Sequence, residues 1–156
     1  MRKNWRQLLI CLAIPLGVGA LSGWLTQGSM AEFARLTKPP LSPPGWLFPV
    51  VWTILFLMMG LASWLLLRSG EPPQAIRRAL RLYALQLAVN FFWSIFFFNL
   101  SLYLFSFFWL VLLWVLVLIT AIRFSRISKP AGYLMIPYLL WITFAGYLNL
   151  SIYLLN

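Results

Sequence analysis

Four stretches of the chain, 7–31, 39–67, 82–122 and 130–156, contain no Asp, Glu, Lys, Arg or His. Leu, Phe and Trp crowd them instead. A water-facing exterior needs charge, so these stretches point to lipid as the solvent. Runs of roughly 20 apolar residues predict spanning helices, because a helix holds its backbone hydrogen bonds within itself. A spanning β-barrel would alternate polar and apolar residues in ~10-residue segments. Phe107-Phe108-Trp109-Leu110-Val111-Leu112-Leu113 does not alternate. The pattern predicts five spans, at about 7–26, 46–67, 79–100, 103–122 and 131–154. The fold class is therefore an all-α integral membrane protein, a five-transmembrane-helix bundle forming one domain over 1–156. The basic start Met1-Arg2-Lys3-Asn4-Trp5-Arg6 and the small residues Ala20, Ser22 and Gly23 also resemble a cleaved signal. Leu8 to Leu25 is long enough to span, so it is kept as a helix.

Composition agrees, with 63% hydrophobic and 9% charged residues. The net charge of +10 raises nucleic acid as a partner, but its placement argues for membrane topology. With five spans, ten cations share one side: Arg2, Lys3, Arg6, Arg68, Arg77, Arg78, Arg81, Arg123, Arg126 and Lys129. Only Arg35 and Lys38 fall opposite. The positive-inside rule then places the N-terminus in the cytoplasm. No nucleic-acid partner is expected. The single cysteine, Cys11, excludes an intrachain disulfide, and the absence of histidine excludes a His-based metal site or triad. No metal site and no intrinsic cofactor are expected. The only carboxylates, Glu32 and Glu71, lie in different loops, which disfavours paired-acid catalysis and a carboxylate-driven pump.

The long connection 27–45 stands out among short ones. Pro39, Pro40, Pro43 and Pro44 hold it extended and stiff, so it can lie across the bundle mouth as a lid or serve as a plain tether. On the third span Gln86, Asn90 and Trp93 share a helical stripe that Phe97 continues. Burying such amides in lipid is costly, so the stripe faces other helices or a cavity. Tyr138, Ala145, Asn149 and Ile152 form a second stripe on the fifth span, flanked by Trp141. Ala145 leaves either a close helix contact or space for a ligand. Trp52 and Phe56, at i and i+4, can stack on planar rings. Trp5, Trp24, Trp46 and Trp64 lie near span ends, where interfacial belts place them. Gly19 with Gly23, and Ala84 with Ala88, are small-residue pairs suited to helix packing.

Several segments together resemble the tryptophan-rich sensory protein/translocator protein (TspO/MBR) family, related to the peripheral benzodiazepine receptor. They are Leu36-Thr37-Lys38-Pro39-Pro40-Leu41-Ser42-Pro43-Pro44-Gly45-Trp46, Val51-Trp52-Thr53-Ile54-Leu55-Phe56-Leu57-Met58-Met59-Gly60, Gln86-Leu87-Ala88-Val89-Asn90-Phe91-Phe92-Trp93-Ser94, and Pro137-Tyr138-Leu139-Leu140-Trp141-Ile142-Thr143-Phe144-Ala145 with Leu148-Asn149. The resemblance covers nearly the whole chain. It implies a five-helix bundle, often dimeric, with a pocket closed by the first loop and a porphyrin or haem-type tetrapyrrole as ligand. By motif match, Trp52, Phe56, Gln86, Asn90, Trp93, Tyr138, Trp141, Ala145 and Asn149 fall at ligand-binding or adjacent positions. Lys38, Pro39, Pro43 and Pro44 belong to the lid-like loop. The chain departs from the family pattern at Glu32-Phe33 (often Trp-Tyr), Leu41 (often Trp), Pro49-Val50-Val51-Trp52 (usually Gly-Pro-Val-Trp) and Phe56 (often Tyr). Tyr153 is followed by no cation, so sterol recognition is not expected.

The leading expectation is a membrane binding protein, transporter or sensor for tetrapyrroles. The ring would rest against Trp52, Phe56, Trp93 and Trp141, and its carboxylates would reach Lys38 or Arg35. One alternative is light-dependent porphyrin breakdown, which the resemblance ties to Trp52 and Trp141. Another is a non-catalytic regulatory or assembly protein, with Ala84 and Ala88 in a homodimer face.

Overall fold

The computed structural model describes residues 2–156, with side chains from Asn4 onward, so the side chains of Arg2 and Lys3, two of the ten cations assigned to one side, lie outside the described residues. Six α-helices follow in order: α1 (Arg2–Thr26), α2 (Met30–Ala34), α3 (Leu47–Leu67), α4 (Pro73–Ser94), α5 (Tyr103–Ile127) and α6 (Lys129–Leu155). A 3₁₀ turn, Gln27–Ser29, joins α1 to α2, and a π-helical turn, Ile95–Asn99, extends α4. No strand occurs among the described residues. Five helices are long and apolar enough to cross a membrane: α1 with its continuation, α3, α4 with the π turn, α5 and α6.

Helix boundaries differ from the apolar runs in a consistent direction. α4 begins at Pro73 rather than near 79, and α5 continues to Ile127. The hydrophobic pattern marks only what lipid touches. Arg77, Arg78, Arg81, Arg123 and Arg126 are exposed on helical turns beyond it, where water solvates charge. Pro73 starts α4 after an extended Pro72, where a proline costs no hydrogen bond. A single extended residue, Ser128 (φ −148°, ψ 116°), separates α5 from α6. Here the chain reverses so sharply that Gly132 lies against Ser125, leaving no room for a side chain. The 27–45 connection is also less irregular than its prolines suggest. Residues 27–34 form the 3₁₀ turn and α2, and only 35–46 lacks helix.

Glycines set how α1 meets α3. A methyl at Gly60 would sit 2.6 Å from the Cys11 carbonyl oxygen and 2.8 Å from Leu12 Cα, so the two backbones touch there. Gly19 lies against the Phe56 ring. Gly23 meets nothing within 4 Å, so Gly19 and Gly23 do not form the shared packing face their spacing suggests. Beyond Gly19, the end of α1 is tied to the π turn. Asn99 of the π turn donates to the Leu25 carbonyl (3.1 Å) and accepts from Ser29 Oγ (2.7 Å). The core between α3, α4, α5 and α6 is built from Met59, Leu66, Leu113, Phe124 and Met135, all fully buried. Trp5, Trp24 and Trp46 are exposed near helix ends, and Trp64 lies half-buried with the Arg68 guanidinium 4.8 Å from its ring centre.

Candidate ligand cavity

The two polar stripes face each other. Asn90 Nδ2 donates to the Tyr138 hydroxyl (2.6 Å), which donates onward to Gln86 Oε1 (2.7 Å). Gln86 Nε2 lies 3.9 Å from Met59 Sδ. One turn further along, Trp93 Nε1 donates to Asn149 Oδ1 (3.0 Å), and Asn149 Nδ2 donates to the Tyr103 carbonyl (2.7 Å). Each amide is thus held in place by a partner on a neighbouring helix. The result is a rigid polar seam between α4 and α6.

Above this seam the helices part to leave a cavity of about 650 Å³, within the usual range for a small-molecule site. Its walls come from every span except α5. Trp52 and Phe56 of α3 are stacked, with centroids 5.6 Å apart and planes 27° apart. Trp141 of α6 stands perpendicular to Trp52 at 6.4 Å. The two indoles form a corner, and Phe48 closes its outer side at 5.9 Å from Trp141. Opposite, Trp93 stacks on Phe97 at 5.1 Å. The π turn widens the last turn of α4, so the consecutive residues Phe97 and Phe98 both line the cavity. α1 contributes small residues, among them Gly19 and Gly23. Ala145 lies on the α6 wall, and its methyl leaves the space between larger neighbours open.

Of the expected site residues, Trp52, Phe56, Asn90, Trp93, Trp141, Ala145 and Asn149 line the cavity. Gln86 and Tyr138 do not. They are fully buried behind the wall, where they fix Asn90. In the loop, Lys38 and Pro43 line the cavity together with Ser42. Pro39 is buried beneath the loop and Pro44 is exposed, and neither reaches the cavity. Arg35 also stands outside the lining. Lys38 is not a free cation. Its Nζ lies 3.1–3.3 Å from the carbonyls of Phe33, Ala34 and Leu36 and 4.8 Å from the Phe33 ring centre. It therefore caps the C-terminal end of α2, where exposed carbonyls attract positive charge. The Trp141 Nε1–H is buried without a hydrogen-bond partner.

Sequence reasoning missed Phe33 and Phe48. Phe33 packs edge-on against Phe48 (6.4 Å), Phe97 (5.9 Å) and Phe98 (5.2 Å). It thereby plugs the end of the cavity next to α2. Its apolar character within a polar loop was the available signal. Two side-chain ties, from Tyr147 of α6 and from Asn156 just beyond its end, hold the following segment. Asn156 clamps Thr37 through both of its backbone groups, Thr37 N to Oδ1 (3.1 Å) and Nδ2 to Thr37 O (2.9 Å). The Tyr147 hydroxyl donates to the Pro40 carbonyl (3.0 Å). The loop is therefore fastened rather than loosely tethered.

A sequence profile of the TspO/MBR family matches residues 11–155. The chain is 41% identical to the tryptophan-rich protein TspO of Chlorobaculum tepidum, over all of this chain and 99% of that protein. It is 35% identical to protein CrtK of Rhodobacter capsulatus, over 81% of this chain and 79% of that one. It is also 34% identical to the translocator protein of Bos taurus, over 96% and 89% respectively.

Proposed function

The chain belongs to the TspO/MBR family, and from that premise and the shape of its cavity we propose that it is a membrane receptor or carrier for planar conjugated ligands, tetrapyrroles foremost. The perpendicular Trp52–Trp141 corner inside a cavity of about 650 Å³ carries this reading. A flat ring can lie along one indole face and present its edge to the other, both favoured aromatic arrangements. The fixed amides of Asn90 and Asn149 supply polar groups at set positions, as ligand sites with apolar walls require. A ligand acceptor reaching Trp141 Nε1 would satisfy its unpaired donor. Porphyrin carboxylates would meet Lys38 only by drawing it from its three carbonyls, so ring stacking rather than ion pairing dominates affinity. Ala84 and Ala88 are exposed on α4, and a second copy of the chain can seat against that small-residue face.

Titrating the purified protein with protoporphyrin IX should quench tryptophan fluorescence saturably. Trp52→Phe combined with Trp141→Phe should weaken binding by about tenfold, or ~1.4 kcal/mol, with helical content retained. An unchanged dissociation constant in that double variant would remove the cavity as the binding site.

A further inference from the structure

We propose that the start of α4, the end of α5 and the start of α6 together bind the phosphate headgroup of an anionic phospholipid. This site is separate from the cavity, whose lining includes none of its cations. It stands whether or not the cavity takes a tetrapyrrole.

Charge is the first observation. Arg6, Arg68, Arg77, Arg78, Arg81, Arg123, Arg126 and Lys129 are exposed at this end of the bundle, and Glu71 is the one carboxylate on the same side. Among the described residues, no side chain of these eight donates a hydrogen bond within the protein, and only Arg68 has an aromatic partner, the Trp64 ring. Lys38, on the opposite side, differs, because it holds its ammonium against three carbonyls. Cations without an acceptor repel one another, and an external anion relieves that repulsion.

Placement is the second. Topology alone requires cations on this side, but not side by side at one depth. Tyr83 of α4 and Phe124 of α5 pack with ring centroids 5.8 Å apart, both buried. The two helices run antiparallel, so this contact sets Arg81 level with Arg126, and Arg78 level with Lys129 of α6. The reversal at Ser128, with Gly132 against Ser125, fixes the start of α6 beside the end of α5. These cations therefore stand on packed helix rather than on a free loop, which lowers the entropy lost when a headgroup is held.

Depth is the third. α4 begins at Pro73, whereas its charge-free stretch begins at 82, so roughly 13 Å of helix projects beyond the hydrocarbon at ~1.5 Å per residue. The headgroup layer of one leaflet is on the order of 6 Å thick. Arg78 and Arg81 fall within it. Below them, Leu85 of α4 and Ile119 and Ile122 of α5 are exposed on the lipid-facing surface. Guanidinium forks above and apolar side chains below match the two halves of a phospholipid, and a dissolved phosphate would use only the upper half.

Native mass spectrometry of the purified protein tests the site. Phosphatidylglycerol and phosphatidylcholine with the same acyl chains are offered at equal concentration in detergent micelles. Phosphatidylglycerol should be retained about fivefold better, and the preference should shrink as salt rises. Arg81→Gln combined with Arg126→Gln should cut the preference severalfold. Arg78→Gln combined with Lys129→Gln should act in the same direction and serves if the first pair fails to fold. Arg35→Gln, on the opposite side, should leave it unchanged. Excess inorganic phosphate should displace little of the lipid. Equal retention of the two lipids, or an undiminished preference in both neutralised pairs, would overturn the proposal. Full displacement by inorganic phosphate would overturn the lipid as occupant and assign the cations to a soluble anion.

Discussion

The Tyr138 hydroxyl accepts from Asn90 and donates to Gln86, so one buried oxygen links α4 and α6. Tyr138→Phe would leave an amide hydrogen of Asn90 and the Gln86 oxygen unpaired. We expect it to destabilise the bundle by about 1 kcal/mol, measured by unfolding in mixed micelles, with weaker ligand binding only through a displaced Asn90. The sequence identified Gln86, Asn90 and Trp93 as an inward stripe because burying an amide in lipid is costly. It could not say how deep each one sits. Asn90 and Trp93 reach the cavity, whereas Gln86 and Tyr138 end behind its wall. Depth depends on how far the neighbouring helices stand apart, which a periodicity does not encode. Lys38 makes the same point for charge. Its cation was legible as a candidate carboxylate partner, but its commitment to the carbonyls of Phe33, Ala34 and Leu36 depends on how the chain folds back at α2.

The α1–α3 pair shows how a single glycine positions a helix. Gly60→Ala would press a methyl into the Cys11 carbonyl and Leu12 Cα, backbone atoms that cannot swing aside. We expect a loss of roughly 1–3 kcal/mol, read from thermal or denaturant unfolding in detergent. Gly23→Ala meets open space and should be neutral or slightly stabilising, since alanine favours helix by up to about 1 kcal/mol over glycine. The small-residue spacing of Gly19 and Gly23 gave no hint of this difference. The five spanning helices were legible, because each carries its own apolar run, whereas the short α2 within 27–45 was not. Nor was the π turn at Ile95–Asn99. It changes only which way Phe97 and Phe98 point, through one altered turn of backbone, and leaves the hydrophobic pattern intact.

Across the whole molecule, charge separates the two ends of the bundle. Arg6, Arg68, Arg77, Arg78, Arg81, Arg123, Arg126 and Lys129 are all exposed, while Arg35 and Lys38 fall in the connection between α1 and α3. The positive-inside rule then predicts that, in intact cells without Cys11, an impermeant thiol reagent labels Leu41→Cys but not Ser69→Cys. Leu41, 82% exposed at the loop tip, gives that reagent an unobstructed target. The reverse labelling pattern would invert the orientation. What the sequence determined by itself was the solvent, the number of crossings, and which faces of α4 and α6 turn inward. Each of these follows from local transfer energies, which act residue by residue. What only the tertiary structure decided was the hollow: its corner of Trp52 and Trp141 and its plug at Phe33. A cavity is the space that five helices fail to fill, and its size and exits depend on small differences in how they cross, which no single segment of the chain carries.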